Sequence, residues 1–295
     1  KKLLIDLRNN GGGLLDQAIK MADLFISSND TIVFTKGRIP GSNGVHRAKY
    51  SSRDLQIPIV VLINNGSASA SEIVSGAFQD LDRGIVVGER SFGKGLVQRQ
   101  YELQDGSAAR VTIARYYTPS GRLIQRDYDV PLDEYYLNDI ENDSTIQDQK
   151  EYFTKSGRTV YGGGGITPDV IQKNDVKFNE STRKIYFHED RLLFKYANVI
   201  KESNNVPSSF DDLMTSFTIV QNDFLDWLDL NEIKYVKDDV MNQDDWIFIS
   251  NRIKAEIANT LWTREDFYRA LTYNDLQVKV AIDEFINAEK LLNQN

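Results

Sequence analysis

Three alternating serines, Ser67, Ser69 and Ser71, sit in the run Asn65-Gly-Ser-Ala-Ser-Ala-Ser-Glu72, and Lys94 follows Ser69 by 25 residues, between two glycines. A serine hydroxyl becomes a useful nucleophile when a neighbouring base takes its proton. The base within reach of this pattern is a lysine; the chain has two histidines, His46 and His188, and neither lies in the serine or lysine motif. Gly66, Ala68 and Ala70 leave room for an acyl group to approach the backbone. A helix starting just after Ser69 would aim unsatisfied N–H groups and a positive dipole end at that spot. The Ala70 N–H is then placed to donate to an oxyanion, and one such donor is worth about 3–4 kcal/mol. Spacing alone reads equally well as serines capping an ordinary helix, and it leaves the three serines equivalent.

The lysine carries its own requirement. A free lysine titrates at about 10.4, so roughly one in 2,500 is neutral at pH 7. To act as a base it must be desolvated or set beside positive charge. A glycine-bracketed position next to a helix start offers both. Gln98 lies four residues on in a strand-like run, and in an extended strand residues 94, 96 and 98 share one face. The same segment, Gly88-Glu-Arg-Ser-Phe-Gly-Lys-Gly95, matches the first seven positions of a phosphate-binding loop. Gly95 stands where that loop needs Ser or Thr, and Leu96–Tyr101 reads as strand where a helix should begin, so nucleotide binding is not expected.

Composition narrows the classes. With 41% hydrophobic and 26% charged residues, the chain has the make-up of an ordinary globular protein. Net charge is −8 and no basic run stands out, which argues against a nucleic-acid partner. The absence of cysteine excludes disulfides and thiolate metal sites, and no cofactor or metal is expected. The run Ile57–Ile63 is far too short to span a bilayer. The opening Lys1–Arg8 reads as the inside of a strand with neither initiator methionine nor leader, so the chain is expected to be a piece of a longer precursor.

The elements that must hold these residues follow an α/β pattern over the first 125 positions. Leu3–Leu7 is a short apolar run broken by Asn9-Asn-Gly-Gly-Gly13, and residues 14–28 have helical spacing. Ile57–Ile63 predicts a strand buried on both faces. A helix follows from Ser69, then a strand at 84–88. Two alternating runs, Leu96–Leu103 and Ala108–Tyr117, flank the turn signal Gln104-Asp-Gly106. Residues 126–158 form an acidic stretch, read as an insertion, and Gly162–Gly165 as a connector or a close backbone approach. Beyond about 175, helical patterns take over: Leu192–Tyr196, Phe224–Leu228, Ile253–Leu261 and Leu276–Leu292.

Five of these pieces, in order, resemble the carboxyl-terminal processing, or tail-specific, Ser-Lys peptidases. They are Leu4-Ile-Asp-Leu-Arg-Asn-Asn-Gly-Gly-Gly13, Ser67-Ala-Ser-Ala-Ser-Glu-Ile73, Val87–Gln98, Tyr117-Thr-Pro-Ser-Gly-Arg-Leu-Ile-Gln125 and Gly165-Ile-Thr-Pro-Asp-Val170. The resemblance implies an α/β core of the crotonase and Clp-peptidase kind over residues 1–172, incomplete at its start, with a mainly helical domain over 173–295. It implies Ser69 as nucleophile, Lys94 as general base and Gln98 as support for the lysine. The Ala70 N–H and one N–H of the triple glycine, Gly13 before Gly12, would hold the oxyanion. Asp80 matches a recurrent acidic position, expected to be structural before catalytic. The implied activity is cleavage of proteins near apolar C-terminal tails in the periplasm or another extracytoplasmic space. The family's usual upstream PDZ domain has no counterpart here. The helical region is expected to serve as a homodimer contact, lid or adaptor site. A non-catalytic peptide-binding scaffold that keeps the fold is the alternative.

Overall fold

The computed structural model describes residues 1–49, 57–126, 150–174, 178–203 and 205–294. The chain divides into two compact units, Lys1–Asn174 with Gln277–Asn295, and Asp175–Leu276.

The first unit is built on β1 (Leu3–Asp6), β4 (Ile59–Ile63), β5 (Ile85–Gly88) and β10 (Val170–Ile171), an all-parallel sheet in that order. Every residue of β4 is buried, as its unbroken apolar run predicts. Alternation along the strand sends Ile59, Val61 and Ile63 to one face and Val60 and Leu62 to the other. The first set packs with α1 (Leu15–Asp23) and α2 (Ala70–Asp80). The second set packs with Val278, Ala281 and Phe285 of α10 (Leu276–Asp283) and α11 (Phe285–Gln294). The last helices of the chain therefore cover a face of the core sheet. The expected helical domain over 173–295 differs on this point, because residues 277–295 carry the apolar stripe that this face requires.

A second, antiparallel sheet runs in the order β3 (Gly44–Arg47), β2 (Thr31–Lys36), β7 (Ala108–Tyr117), β6 (Leu96–Glu102). The predicted hairpin is present: the Leu103 N–H bonds Ser107 O at 2.8 Å, and Gly106 takes φ +83° in the turn. Helix α1 stops at Asp23, five residues before the predicted end, where the buried Asp23 carboxylate accepts the Lys49 N–H at 2.6 Å. Of the expected acidic insertion, residues 127–149 lie outside the described residues. Its last part belongs to the core. Strands β8 (Glu151–Phe153) and β9 (Thr159–Tyr161) pair, Lys155 N–H donates to Asp80 O at 2.8 Å, and Arg158 bridges Asp82 at 2.7 Å and Asp169 at 2.6 Å.

The second unit is helical among its described residues. It comprises α3 (Glu180–Tyr186), α4 (Leu192–Glu202), α5 (Phe210–Thr215), α6 (Gln221–Leu230), α7 (Lys237–Met241), α8 (Gln243–Leu261) and α9 (Arg264–Tyr273). Its core is its own: Ile249, Ile253 and Ile257 of α8 are fully buried among Leu193, Ala197, Leu213 and Phe224. Caps at Ser209 and Thr263, whose side chains accept the Asp212 and Asp266 N–H groups, start α5 and α9.

Candidate active site

Parallel strands put their carboxyl ends on one edge, and the turn after β4 delivers Ser69 there, at the start of α2. Ser69 sits at φ 57°, ψ −113°, a backbone conformation that a residue with a Cβ rarely adopts. Several hydrogen bonds hold it. Its N–H donates to Glu72 Oε2 at 2.7 Å, and its carbonyl accepts from the Tyr116 hydroxyl at 3.1 Å. The serines are no longer equivalent. Ser67 Oγ donates to Leu7 O at 2.7 Å and Ser71 Oγ to Asn10 O at 2.9 Å, so both are spent on anchoring the turn to the glycine loop. Ser69 opens onto a cleft of about 610 Å³ that Lys94, Gln98 and Ala70 also line, together with Gly12 and Gly13.

The lysine loop is fixed by the same carboxylate. Glu72 is fully buried and accepts four hydrogen bonds: Ser69 N–H and Lys94 N–H at Oε2, Ser91 Oγ–H and Gly93 N–H at Oε1, over 2.6–2.9 Å. Burial pushes its carboxyl up from the ordinary value, while the bonds from Ser91, Lys94, Gly93 and Ser69 act the other way. The Tyr116 hydroxyl also donates to the Lys94 carbonyl, and burial together with the Glu72 charge pushes that hydroxyl well above the usual tyrosine value. A phosphate loop needs its N–H groups free to meet an anion. Here the Gly93 and Lys94 amides are committed to Glu72 and a strand follows, so the segment does not have that architecture.

Lys94 lies before β6, and a register shift falls between Val97 and Gln98. The simple one-face alternation of residues 94, 96 and 98 is therefore broken. Both side chains still reach the cleft. Among the described residues no hydrogen bond joins the side chains of Ser69, Lys94 and Gln98.

The triple glycine divides its labour. Gly12 has φ +90°, and a Cβ there would stand 2.5 Å from Ala68 O and 2.6 Å from Ala70 N, so only glycine permits this approach. Its N–H donates to Asn10 Oδ1 at 2.9 Å. Gly13 has open space around it and, like the Ala70 N–H at the helix start, no hydrogen bond among the described residues. Asp80 lies away from the cleft, fully buried against the equally buried Arg122 at 2.7 Å, with Ser120 N–H on its other oxygen. Gly165 is a close approach: a Cβ would lie 2.4 Å from Ser91 O.

Glu72 and Tyr116 are the residues that sequence reasoning left without a role, and Gly12, expected after Gly13 as an oxyanion donor, has its N–H turned to Asn10 Oδ1 instead. The spacing Ser69-x-x-Glu72 is a helix capping signal and could have pointed to Glu72. Tyr116 read only as one position in an alternating strand.

An α/β domain with a strained serine, a lysine and two amides without hydrogen bonds around one cleft has the parts that serine-nucleophile chemistry uses. The family model described as Peptidase family S41 matches residues 1–135. Over 196 residues the chain is 42% identical to the carboxy-terminal-processing protease of Bartonella bacilliformis, covering 61% of this chain and 43% of that protein. Over 138 residues it is 42% identical to the chloroplastic C-terminal processing peptidase of Tetradesmus obliquus, covering 46% of this chain and 29% of that one. The solved photosystem II D1 C-terminal processing protease aligns with 59% of this chain and 35% of its own, at 32% identity and a TM-score of 0.42. What the comparisons show is a likeness to peptidase family S41 over residues 1–135. The chain spans less than half the length of these two curated relatives.

Proposed function

We propose that this chain is the catalytic part of a serine endopeptidase that cuts proteins near apolar C-terminal tails. The observation that carries this reading is the strained Ser69 held at the head of α2, in one cleft with Lys94. In the reaction the neutral Lys94 amine takes the Ser69 proton as Oγ attacks the scissile carbonyl. The Ala70 and Gly13 amides hold the oxyanion. Collapse expels the new amine, which takes its proton from Lys94. Lys94 then deprotonates the water that hydrolyses the acyl-serine. Gln98 orients the lysine side chain once substrate fills the cleft. Leu14, Leu15 and Ile73 supply an apolar wall, in keeping with apolar substrate residues. Similarity to C-terminal processing peptidases supports an extracytoplasmic site of action, and no helix among the described residues is long and apolar enough to cross a membrane.

The test is hydrolysis of a peptide with an apolar C-terminal tail, followed from pH 6 to 9. Turnover rises with pH, as an amine base requires, and Ser69→Ala or Lys94→Ala each removes it. Full activity in either variant refutes the assignment. Peptide binding without turnover in the unaltered chain would favour a scaffold.

A further inference from the structure

One end of the cleft is formed by Gln100 of β6 and Arg110 of β7, directly opposite each other in register. Lys94 and Arg110 are the charged residues lining the cleft, and no Asp or Glu lines it, in a chain of net charge −8. The reaction above uses Lys94. Arg110 has no assigned task. Its guanidinium makes one long hydrogen bond among the described residues, 3.4 Å to Gln100 Oε1, and no ion pair. A planar fork of N–H donors that faces a cleft without a carboxylate is matched to a carboxylate brought by the ligand.

We propose that Arg110 anchors a carboxylate carried by the peptide substrate and so sets where the chain is cut. The inference rests on the peptidase reading for the cut and on the cleft alone for the anchoring. Strand β6 leads away from the Lys94 turn, and Gln100 lies four residues beyond Leu96. At about 3.3 Å per residue that is about 13 Å, which an extended peptide covers with about four residues. The scissile bond therefore falls roughly three to five residues before the anchored group. Two sources share this chemistry: the terminal α-carboxylate of a tail, and an Asp or Glu side chain.

The test uses the full 295-residue chain with Ser69→Ala, so that binding is read without turnover. A fluorescein-labelled apolar peptide is titrated by anisotropy as the free acid, as the C-terminal amide, and as an amide ending in Glu. The free acid binds about tenfold more tightly than the plain amide. Adding Arg110→Gln brings that ratio close to one, and Arg110→Lys keeps part of it. If the Glu amide matches the free acid, a side-chain carboxylate suffices; if it matches the plain amide, Arg110 reads the chain terminus. Equal binding of all three peptides, no binding at all, or an acid-to-amide ratio that survives Arg110→Gln in a chain of unchanged circular dichroism overturns the proposal. Mass spectrometry of products from the unaltered chain locates the cut. Carboxylate-dependent binding without any cleavage keeps the anchor and refutes the peptidase reading.

Discussion

Glu72 Oε2 accepts the Ser69 N–H at 2.7 Å, so the residue three positions into the helix fixes the backbone of the serine that begins it. The same carboxylate holds the Ser91, Gly93 and Lys94 donors, tying the serine turn and the lysine loop to one buried group. Glu72→Ala leaves four donors without their acceptor. It should cost about 3–5 kcal/mol of stability, read from denaturant unfolding. Glu72→Gln keeps one oxygen acceptor and should fall between the two. Peptide hydrolysis per folded molecule should drop at least tenfold in both, because Ser69 and Lys94 lose their common support.

Tyr116 supports the same two segments from the other side, through Ser69 O and Lys94 O. Tyr116→Phe leaves these carbonyls without the hydroxyl and should cost about 1–2 kcal/mol, with a fall in kcat larger than any change in KM. A pH signature accompanies it. Burial and the Glu72 charge raise the folded-state value well above the ordinary value near 10. The unfolded chain therefore ionises first, so this contribution is fully present below about pH 10 and is lost as pH rises beyond it. Denaturant unfolding at pH 8 to 11 should show the gap between the unaltered chain and Tyr116→Phe closing at the alkaline end. A gap that stays constant refutes the assignment.

The glycine loop offers a contrast between neighbours. Gly12→Ala would press a methyl group onto Ala68 O and Ala70 N at a φ of +90°. It should abolish hydrolysis and lower the unfolding midpoint. Gly11→Ala meets nothing within 4 Å and should change stability by less than about 0.5 kcal/mol. Equal effects at the two positions would mean that the close approach at Gly12 is not what the loop depends on.

These residues also mark how far the sequence could be read. The serine turn and the lysine loop stood out by the small residues around them, while spacing left Ser67, Ser69 and Ser71 equivalent and only the resemblance singled out Ser69. The β4 strand was legible because five buried apolar residues in a row need cover on both faces. What provides that cover on the second face was not. An amphipathic stripe such as Val278, Ala281, Phe285 shows that a helix buries one side, but carries no address for the surface it meets. The roles of Glu72 and Tyr116 were hidden for a related reason. A capping glutamate and a strand tyrosine are ordinary locally, and their importance comes from the three segments that meet on them.

The address of the terminal helices can be tested directly. Phe285 is 6% exposed and packs with Val60, Leu62, Ile85 and Val87, while the adjacent Ile286 is 60% exposed. Phe285→Ala opens a cavity against the sheet and should cost about 3–4 kcal/mol. Ile286→Ala should change stability by less than about 0.5 kcal/mol. Removing residues 277–295 uncovers the whole second face of β4 and β5 and severs the Arg8 Nη1–Gln277 Oε1 bond of 2.9 Å. The bare apolar strip then faces water, and such strips drive association. The shortened chain should aggregate or lose its cooperative transition, and with it peptide hydrolysis, although every residue lining the Ser69 cleft is still present. A shortened chain that stays monomeric by light scattering and hydrolyses peptide at the full rate would show that the core does not need this cover.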